Sequence, residues 1–472
     1  EEYEVKVGSC EVCPMDQEED TNSSSILISV GSAVGLVRSV ETVVQLLRSC
    51  GGTSVVPFAP ISISDRPQFD HRGLLLDTSR NFIPVPLILE TLDAMSMVKL
   101  NVLHWHIVDA TSFPLRTRRF QQLSGWGAYS NSSVYDAEDV RAVVESARQR
   151  GVRVIPEIDM PGHAFSWTGV PDIVSCAGKQ PWELYCAEPP CGQLDPTKDE
   201  TFEVVRTVLE EVTRLFPDRA VHIGGDEVNY RCWDEDAALK RRMRQQGFQD
   251  FSALWQFFED HVLAFTHELG RRAIVWQDVL DEGLQLPSGT IVQVWKGQEA
   301  VLSIAEQGFD VVVSNADAWY LDCGSGSFID GGRSWCDPFK SWEVIYSNEP
   351  CEDVTEDLCA RVLGGEVCMW SEQVDETNLH QKIWPRAAAA AERLWSSSSV
   401  RDLGDARRRL SVLRERMKAR GIPASPLHPA YCHEHPGSCD SHAAGQEGSS
   451  RGVVDFPASA SETYRSSKAA RP

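Results

Sequence analysis

The chain has 472 residues, 42% of them hydrophobic and 14 of them Trp, enough for a large core and too many for one small domain. Its formal net charge of −24 excludes nucleic acid and an anionic membrane surface as expected partners. No run of about 18 apolar residues occurs, so no membrane span is expected.

Residues 1–69 read as a small α+β unit. Tyr3-Glu4-Val5-Lys6-Val7 alternates apolar and polar side chains, the period of a half-buried strand, and a second strand follows at 25–30. A helical period runs through Leu36, Val40, Val43, Val44 and Leu47, and two more strand-like pieces end at Asp65. The turn Asp65-Arg66-Pro67 makes a natural boundary.

From Asp70 the pattern changes. Short apolar strands are predicted at 73–76, 102–108, 152–158, 220–223, 273–276, 290–295, 310–313 and 363–369. Amphipathic helices at 87–99, 137–150, 200–216 and 251–269 lie between them. Such alternation builds a parallel sheet, and eight strands over about 350 residues predict a closed (β/α)8 barrel, here over 70–439. The fold class is thus α/β, a barrel preceded by a small α+β domain. An open doubly wound sheet would need a Gly-rich phosphate turn after an early strand, and none is present. The last helices are expected at 377–395 and 405–420. Residues 440–472 are Ser-, Gly- and Ala-rich without apolar period, and a disordered tail is expected there.

The 14 cysteines are even in number, and Cys10 and Cys13 form the only C-x2-C, without a second pair or a nearby His at zinc spacing. With the acceptor sequons Asn22-Ser23-Ser24 and Asn131-Ser132-Ser133, they favour a secretory-pathway protein with disulfides. The sequence begins at Glu1 with neither Met nor an apolar leader, as a mature or trimmed form would.

In this barrel class the active site forms at the C-terminal strand ends, where this sequence gathers unusual residues. Strand one ends in Asp77-Thr78-Ser79-Arg80, strand two in His106-Ile107-Val108-Asp109, and strand three in Glu157-Ile158-Asp159 before Pro161-Gly162-His163. Strand four ends in Gly224-Gly225-Asp226-Glu227, strand five in Trp276-Gln277-Asp278 and strand six in Val294-Trp295-Lys296. Strand seven leads to Trp319-Tyr320-Leu321-Asp322 and strand eight to Met369-Trp370-Ser371-Glu372. Aromatic walls with carboxylates suit a sugar, whose C–H faces stack on indole while its hydroxyls need charged or amide partners. Glycoside cleavage needs a protonated carboxyl at the leaving oxygen. An ionised Asp226 would raise the pKa of Glu227 and keep it protonated at mildly acidic pH. Alone, an Asp-Glu pair more often caps a helix; the two glycines before this one leave room for a ligand.

At Gly224-Gly225-Asp226-Glu227 the sequence resembles the β-hexosaminidases of glycoside hydrolase family 20. Arg72-Gly73-Leu74-Leu75-Leu76-Asp77-Thr78-Ser79-Arg80, His104-Trp105-His106 and Ile155-Pro156-Glu157-Ile158-Asp159-Met160-Pro161-Gly162-His163 support this, in order, over about residues 25 to 439. The resemblance implies a retaining exo-β-N-acetylhexosaminidase using substrate assistance: the 2-acetamido oxygen attacks the anomeric carbon to give an oxazolinium ion. It implies Glu227 as general acid/base and Asp226 as the carboxylate orienting the acetamido group, with His163 and Asp109 behind Glu227 as an orienting relay. Trp276, Trp295 and Trp370 would wall the acetamido pocket, and Tyr320 would bond its carbonyl oxygen. Arg80 and Glu372 would hold the C3 and C4 hydroxyls, with Asp322 near C4 and C6. The implied partner is an oligosaccharide or glycoconjugate ending in N-acetylhexosamine, and no metal or cofactor is required. With no Lys or Arg in 321–330, an ionised Asp322 is expected to repel a 6-sulfate.

The family's N-terminal unit is longer than residues 1–69, so its first strand is expected to be missing. Family members often form dimers, and no sequence feature decides whether a homodimer forms here. Cys432 with Cys439 and Cys176 with Cys232 resemble family bridges, while Cys186 and Cys191 share one short loop. Two rival readings stand beside this one. His104 and His106 share one strand face and could ligate a metal in a metal-dependent hydrolase, although strands five and six offer no further His. A sugar-binding protein without catalysis could use the same fold.

Overall fold

The computed structural model describes residues 1–8, 26–50, 52–329, 331–435 and 438–439. Asn22, Cys10, Cys13 and the expected tail at 440–472 lie outside the described residues.

Near the N-terminus, β1 (Tyr3–Val7) pairs antiparallel with β2 (Ile26–Val30) on one side and β3 (Ile61–Asp65) on the other. Alternation along β1 turns Tyr3, Val5 and Val7 inward, where they meet Val56 and Trp395. Helix α1 (Ala33–Leu46) opens with Ser32 accepting from the Gly35 N–H and packs on β1 and β2.

Eight parallel strands then close a barrel in chain order: β4 (His71–Asp77), β5 (Val102–Val108), β6 (Arg153–Ile158), β7 (Ala220–His222), β8 (Arg272–Trp276), β9 (Ile291–Val294), β10 (Asp310–Val313) and β11 (Val362–Met369). The last strand pairs with the first, Glu366 opposite Gly73, which closes the ring. The barrel read from the sequence is therefore present. Its strands are buried on both faces because helices such as α2 (Val85–Met97), α3 (Ala137–Gln149), α4 (Asp199–Leu215) and α5 (Phe251–Glu268) cover the outside.

One expected helix divides. In place of a continuous 377–395 there is a short turn of helix at Leu379–Ile383 and then α6 (Arg386–Trp395). Pro385 supplies no N–H and forces Trp384 into an extended conformation, ψ 139°. The final long helix, α7 (Leu403–Ala419), is N-capped by Asp402. No described helix is long and apolar enough to cross a membrane.

Candidate active site

The loop after β7 carries Gly224, Gly225, Asp226 and Glu227. Gly224 has φ +73°, and a Cβ there would lie 1.8 Å from Asp159 Oδ1, so glycine alone lets the Asp159 side chain from the end of β6 fit beneath the loop. Glu227 and His163 are non-glycine residues in the left-handed region, φ +53° and +49°, a strained backbone of the kind found where side chains are aimed for function.

These two residues face each other. His163 Nε2 lies 3.4 Å from Glu227 Oε2 and 3.6 Å from Asp226 Oδ2, while its Nδ1 is 3.3 Å from Asp109 Oδ1. Burial disfavours the imidazolium, but Asp109 and Asp226 outweigh it and hold His163 protonated well above its ordinary range. Asp109 is likewise opposed by burial, yet Arg80 and His163 keep it far below the usual carboxylate range. Burial drives Asp226 up to about 7, His163 pulls it down and the Glu227 carboxylate adds to the rise. The sequence reading has Asp226 as the ionised member of the pair; burial opposes that charge in the free protein, while His163 favours it. Asp226 Oδ1 is buried and without a hydrogen-bond partner in the protein.

Arg80 is placed by Asp77, whose Oδ1 accepts from the backbone N–H of Ser79 (2.8 Å) and of Arg80 (3.2 Å), a tight turn off β4. Its guanidinium lies 3.0 Å from Asp109 Oδ2, 3.3 Å from Asp77 Oδ2 and 4.0 Å from Glu372 Oε1. It also donates from Nε to Glu188 Oε1 at 3.0 Å and stands 5.1 Å over the ring of Trp370. Glu188 was missed by sequence reasoning. It sits in the loop closed by Cys186–Cys191, away from any strand end, and only that short C-x4-C spacing could have marked it.

Aromatic side chains form the remaining walls. Trp276 and Trp370 have ring centroids 6.0 Å apart, Trp370 and Tyr320 6.0 Å, and Tyr320 stacks on Trp295 at 6.5 Å. Two of the indoles are anchored by hydrogen bonds: Trp276 Nε1 donates to Glu157 at 2.8 Å and Trp295 Nε1 to Asp278 at 2.7 Å. Trp335, also missed, is 61% exposed and stands edge-on to both Trp295 and Tyr320.

Comparison with known proteins fits this arrangement. Residues 69–398 match the model of the glycosyl hydrolase family 20 catalytic domain. The chain belongs to glycosyl hydrolase family 20. It is a glycoside hydrolase of the β-N-acetylhexosaminidase class. It is 42% identical over 409 residues to the human β-hexosaminidase subunit beta, covering 85% of this chain and 70% of that one. Among solved structures, a family 20 exo-β-N-acetylglucosaminidase from Vibrio harveyi with N-acetylglucosamine bound matches with TM-score 0.78 and 28% identity, over 90% of this chain and 67% of that one. A Flavobacterium johnsoniae chitobiase matches with TM-score 0.74 and 28% identity over 89% of this chain, which spans 60% of it.

Two further features of this family 20 site depart from the sequence reading. Asp322 does not stand alone: Lys382 and Arg386, brought in from the segment around Pro385, lower its pKa, while burial raises it more, to about 7. Arg386 also ties the loop down, donating to the Lys340 and Leu321 carbonyls at 2.9 and 2.5 Å. Second, the His104-Trp105-His106 pair is not a bare metal clasp. His104, Glu157 and His222 bring ligand atoms within 4.8 Å of one another. Glu157, however, already accepts from His106 and Trp276, which reads as a hydrogen-bonded centre.

Disulfides Cys176–Cys232, Cys186–Cys191 and Cys432–Cys439 are formed, and Cys323–Cys336 and Cys351–Cys359 add to them. Cys368 is a buried free thiol, and Asn131 is exposed in a turn.

Proposed function

We propose that the protein releases single terminal N-acetylhexosamine residues from the non-reducing ends of glycans, with retention of anomeric configuration. The observation that carries this reading is the consecutive pair Asp226 and Glu227, both within reach of one imidazole nitrogen and backed by an aromatic box.

The acetamido group enters the box of Trp276, Trp295, Trp370 and Tyr320, whose hydroxyl donates to the carbonyl oxygen. The acetamido N–H donates to Asp226, which favours the ionised form of that carboxyl and leaves the pair's proton on Glu227. Glu227 gives this proton to the glycosidic oxygen as the acetamido oxygen bonds to the anomeric carbon and the leaving group departs. The ionised Asp226 balances the oxazolinium charge. Glu227, now a carboxylate held beside the His163 imidazolium, takes a proton from water as that water attacks the anomeric carbon and the bond from that carbon to the acetamido oxygen breaks, restoring the N-acetyl group. Two inversions give net retention. Arg80 and Glu372 grip the C3 and C4 hydroxyls and close the pocket at that end, so cleavage is exo.

The five disulfides among the described residues and the exposed Asn131 sequon support a secretory-pathway protein. Proton NMR of an aryl β-N-acetylglucosaminide during hydrolysis tests the reading. The β-anomer of the free sugar should appear first and mutarotate later; the α-anomer first would sink it.

A further inference from the structure

The interior of a barrel of this class is filled by layers of branched aliphatic side chains. Here the first layer conforms, with Val102, Ile155, Ala220, Ile274, Ile291 and Val312 packed together. The layer above it does not. His104 and Glu157, two positions further along the same strand faces, are charged or polar, and so is Glu366 on β11.

These side chains make one continuous line. His71 Nε2 lies 2.9 Å from Glu366 Oε2, and Glu366 Oε1 lies 2.6 Å from His104 Nδ1. His104 Nε2 approaches Glu157 Oε2 to 2.9 Å as a charge contact without hydrogen-bond geometry, and that oxygen is 2.5 Å from His106 Nδ1. His106 Nε2 is 2.9 Å from Asp109 Oδ2, and Asp109 leads through His163 to Glu227. Imidazole and carboxylate alternate at every step from the aliphatic floor to the reacting acid. Room for the far end is made by Gly73, where a Cβ would lie 2.6 Å from Glu366 Oε2 and 2.9 Å from His71 Nε2.

Resting on the reading of Glu227 as the acid, we propose that this buried imidazole–carboxylate line sets the charge behind the catalytic pair. His104, which is buried at 2% exposure with the Trp276 ring 6.3 Å away, is then a positioning residue for the reaction. The groups facing His104 are Glu366 from β11, Glu157 from β6, His71 from β4 and the stacked ring of His222 from β7, 4.7 Å away. Gln293 from β9 adds a neutral donor to Glu366 at 2.7 Å. Burial alone would strip the proton from His104, but Glu366 and Glu157 outweigh it and hold the ring charged up to about 9. His71 and His222 shift the other way, chiefly because burial prevails there.

The line therefore carries alternating fixed charges, with the His104 cation nearer the site than the Glu366 anion that balances it. Removing that cation makes the potential at Asp226 and Glu227 less positive, whether Glu366 stays ionised or picks up a proton. In both cases the pair holds its last proton to higher pH.

The test compares His104→Gln with wild type on an aryl β-N-acetylglucosaminide across pH. The alkaline inflection of kcat/KM should move to higher pH, while KM at the optimum changes by less than about twofold. A purely structural role would scale activity down alike at all pH values and leave the inflection in place, which would overturn the proposal. A second measurement needs no variant. Nitrogen NMR of histidine-labelled wild type should find the His104 and His106 rings doubly protonated from about pH 5 to pH 8, with His222 neutral at the upper end. A His104 ring that is neutral, or that titrates like a free imidazole, contradicts the proposal. If Glu227→Gln retained full turnover, the functional reading would fail instead, and the NMR result would still judge the line by itself.

Discussion

Asp226 and Glu227 stand side by side against one imidazole nitrogen of His163, and burial acts on Asp226 in particular. Asp226 is the more deeply buried, so its carboxyl is pushed up to about 7 although His163 favours its ionisation, and a hydrogen bond from the substrate amide would favour it further. Glu227→Gln leaves that pocket intact but removes the donor. Turnover of an alkyl glycoside should fall by about 10²- to 10⁴-fold, with a smaller loss for a dinitrophenyl leaving group that departs unaided. Equal losses on both substrates would count against the acid role. Asp322 makes a second residue-scale case. Burial holds it neutral below about 7, so a 6-sulfate meets little repulsion at pH 5 and a full carboxylate at pH 8. The ratio of kcat/KM for neutral over 6-sulfated N-acetylglucosaminides should rise over that interval by roughly an order of magnitude, and Asp322→Asn should flatten the rise. A wild-type ratio independent of pH would remove Asp322 from the site. Neither carboxyl's charge was readable from residue type, since burial acts on both, with His163 opposing it at Asp226 and the distant Lys382 and Arg386 at Asp322.

Strands and strand ends were the most legible elements. A strand buried on both faces leaves a continuous apolar run, and the polar residue that ends it stands out by contrast, as at Leu76-Asp77 and Trp276-Gln277. Loops that fold over the barrel mouth leave no such contrast. Glu188 reaches Arg80 across 108 residues of chain, a proximity no periodicity encodes. Helix α5 hides another such group. Glu259 is 1% exposed, accepts from Trp255 Nε1 at 3.0 Å and sits behind Gly225. Burial raises its pKa from the ordinary 4.5 to about 8. The protonated form is thus favoured by folding, so its contribution is complete below about 4.5 and is lost as pH rises through about 8. Glu259→Gln should remove this loss. Denaturant midpoints at pH 4.5 and 8 should show the variant gaining on wild type by on the order of a few kcal/mol as pH rises. A difference that does not change with pH would show that Glu259 is ionised throughout.

At the scale of the molecule, the N-terminal sheet is joined to the back of the barrel through Trp395. Its indole lies in the core of that sheet and donates to Asp65 at 2.8 Å, with Lys99 4.4 Å over the ring. Sequence periodicity does not mark this joint, because Trp395 ends a helix assigned to the barrel alone. The barrel itself, its closure and the convergence of eight strand ends followed from the alternation of elements. The polar layer inside it did not, since His104 and Glu366 sit on strands that otherwise read as apolar. Everything in the account depends on the acetamido oxygen acting as the nucleophile. The direct measurement is kcat/KM for aryl glycosides whose 2-acetamido group carries none, one, two or three fluorines. Each fluorine withdraws electrons from the attacking oxygen while scarcely altering the pocket's load, so the account predicts a steep fall along the series. A flat series would mean that the amide oxygen takes no part in bond formation and would contradict the mechanism built on Asp226 and Glu227.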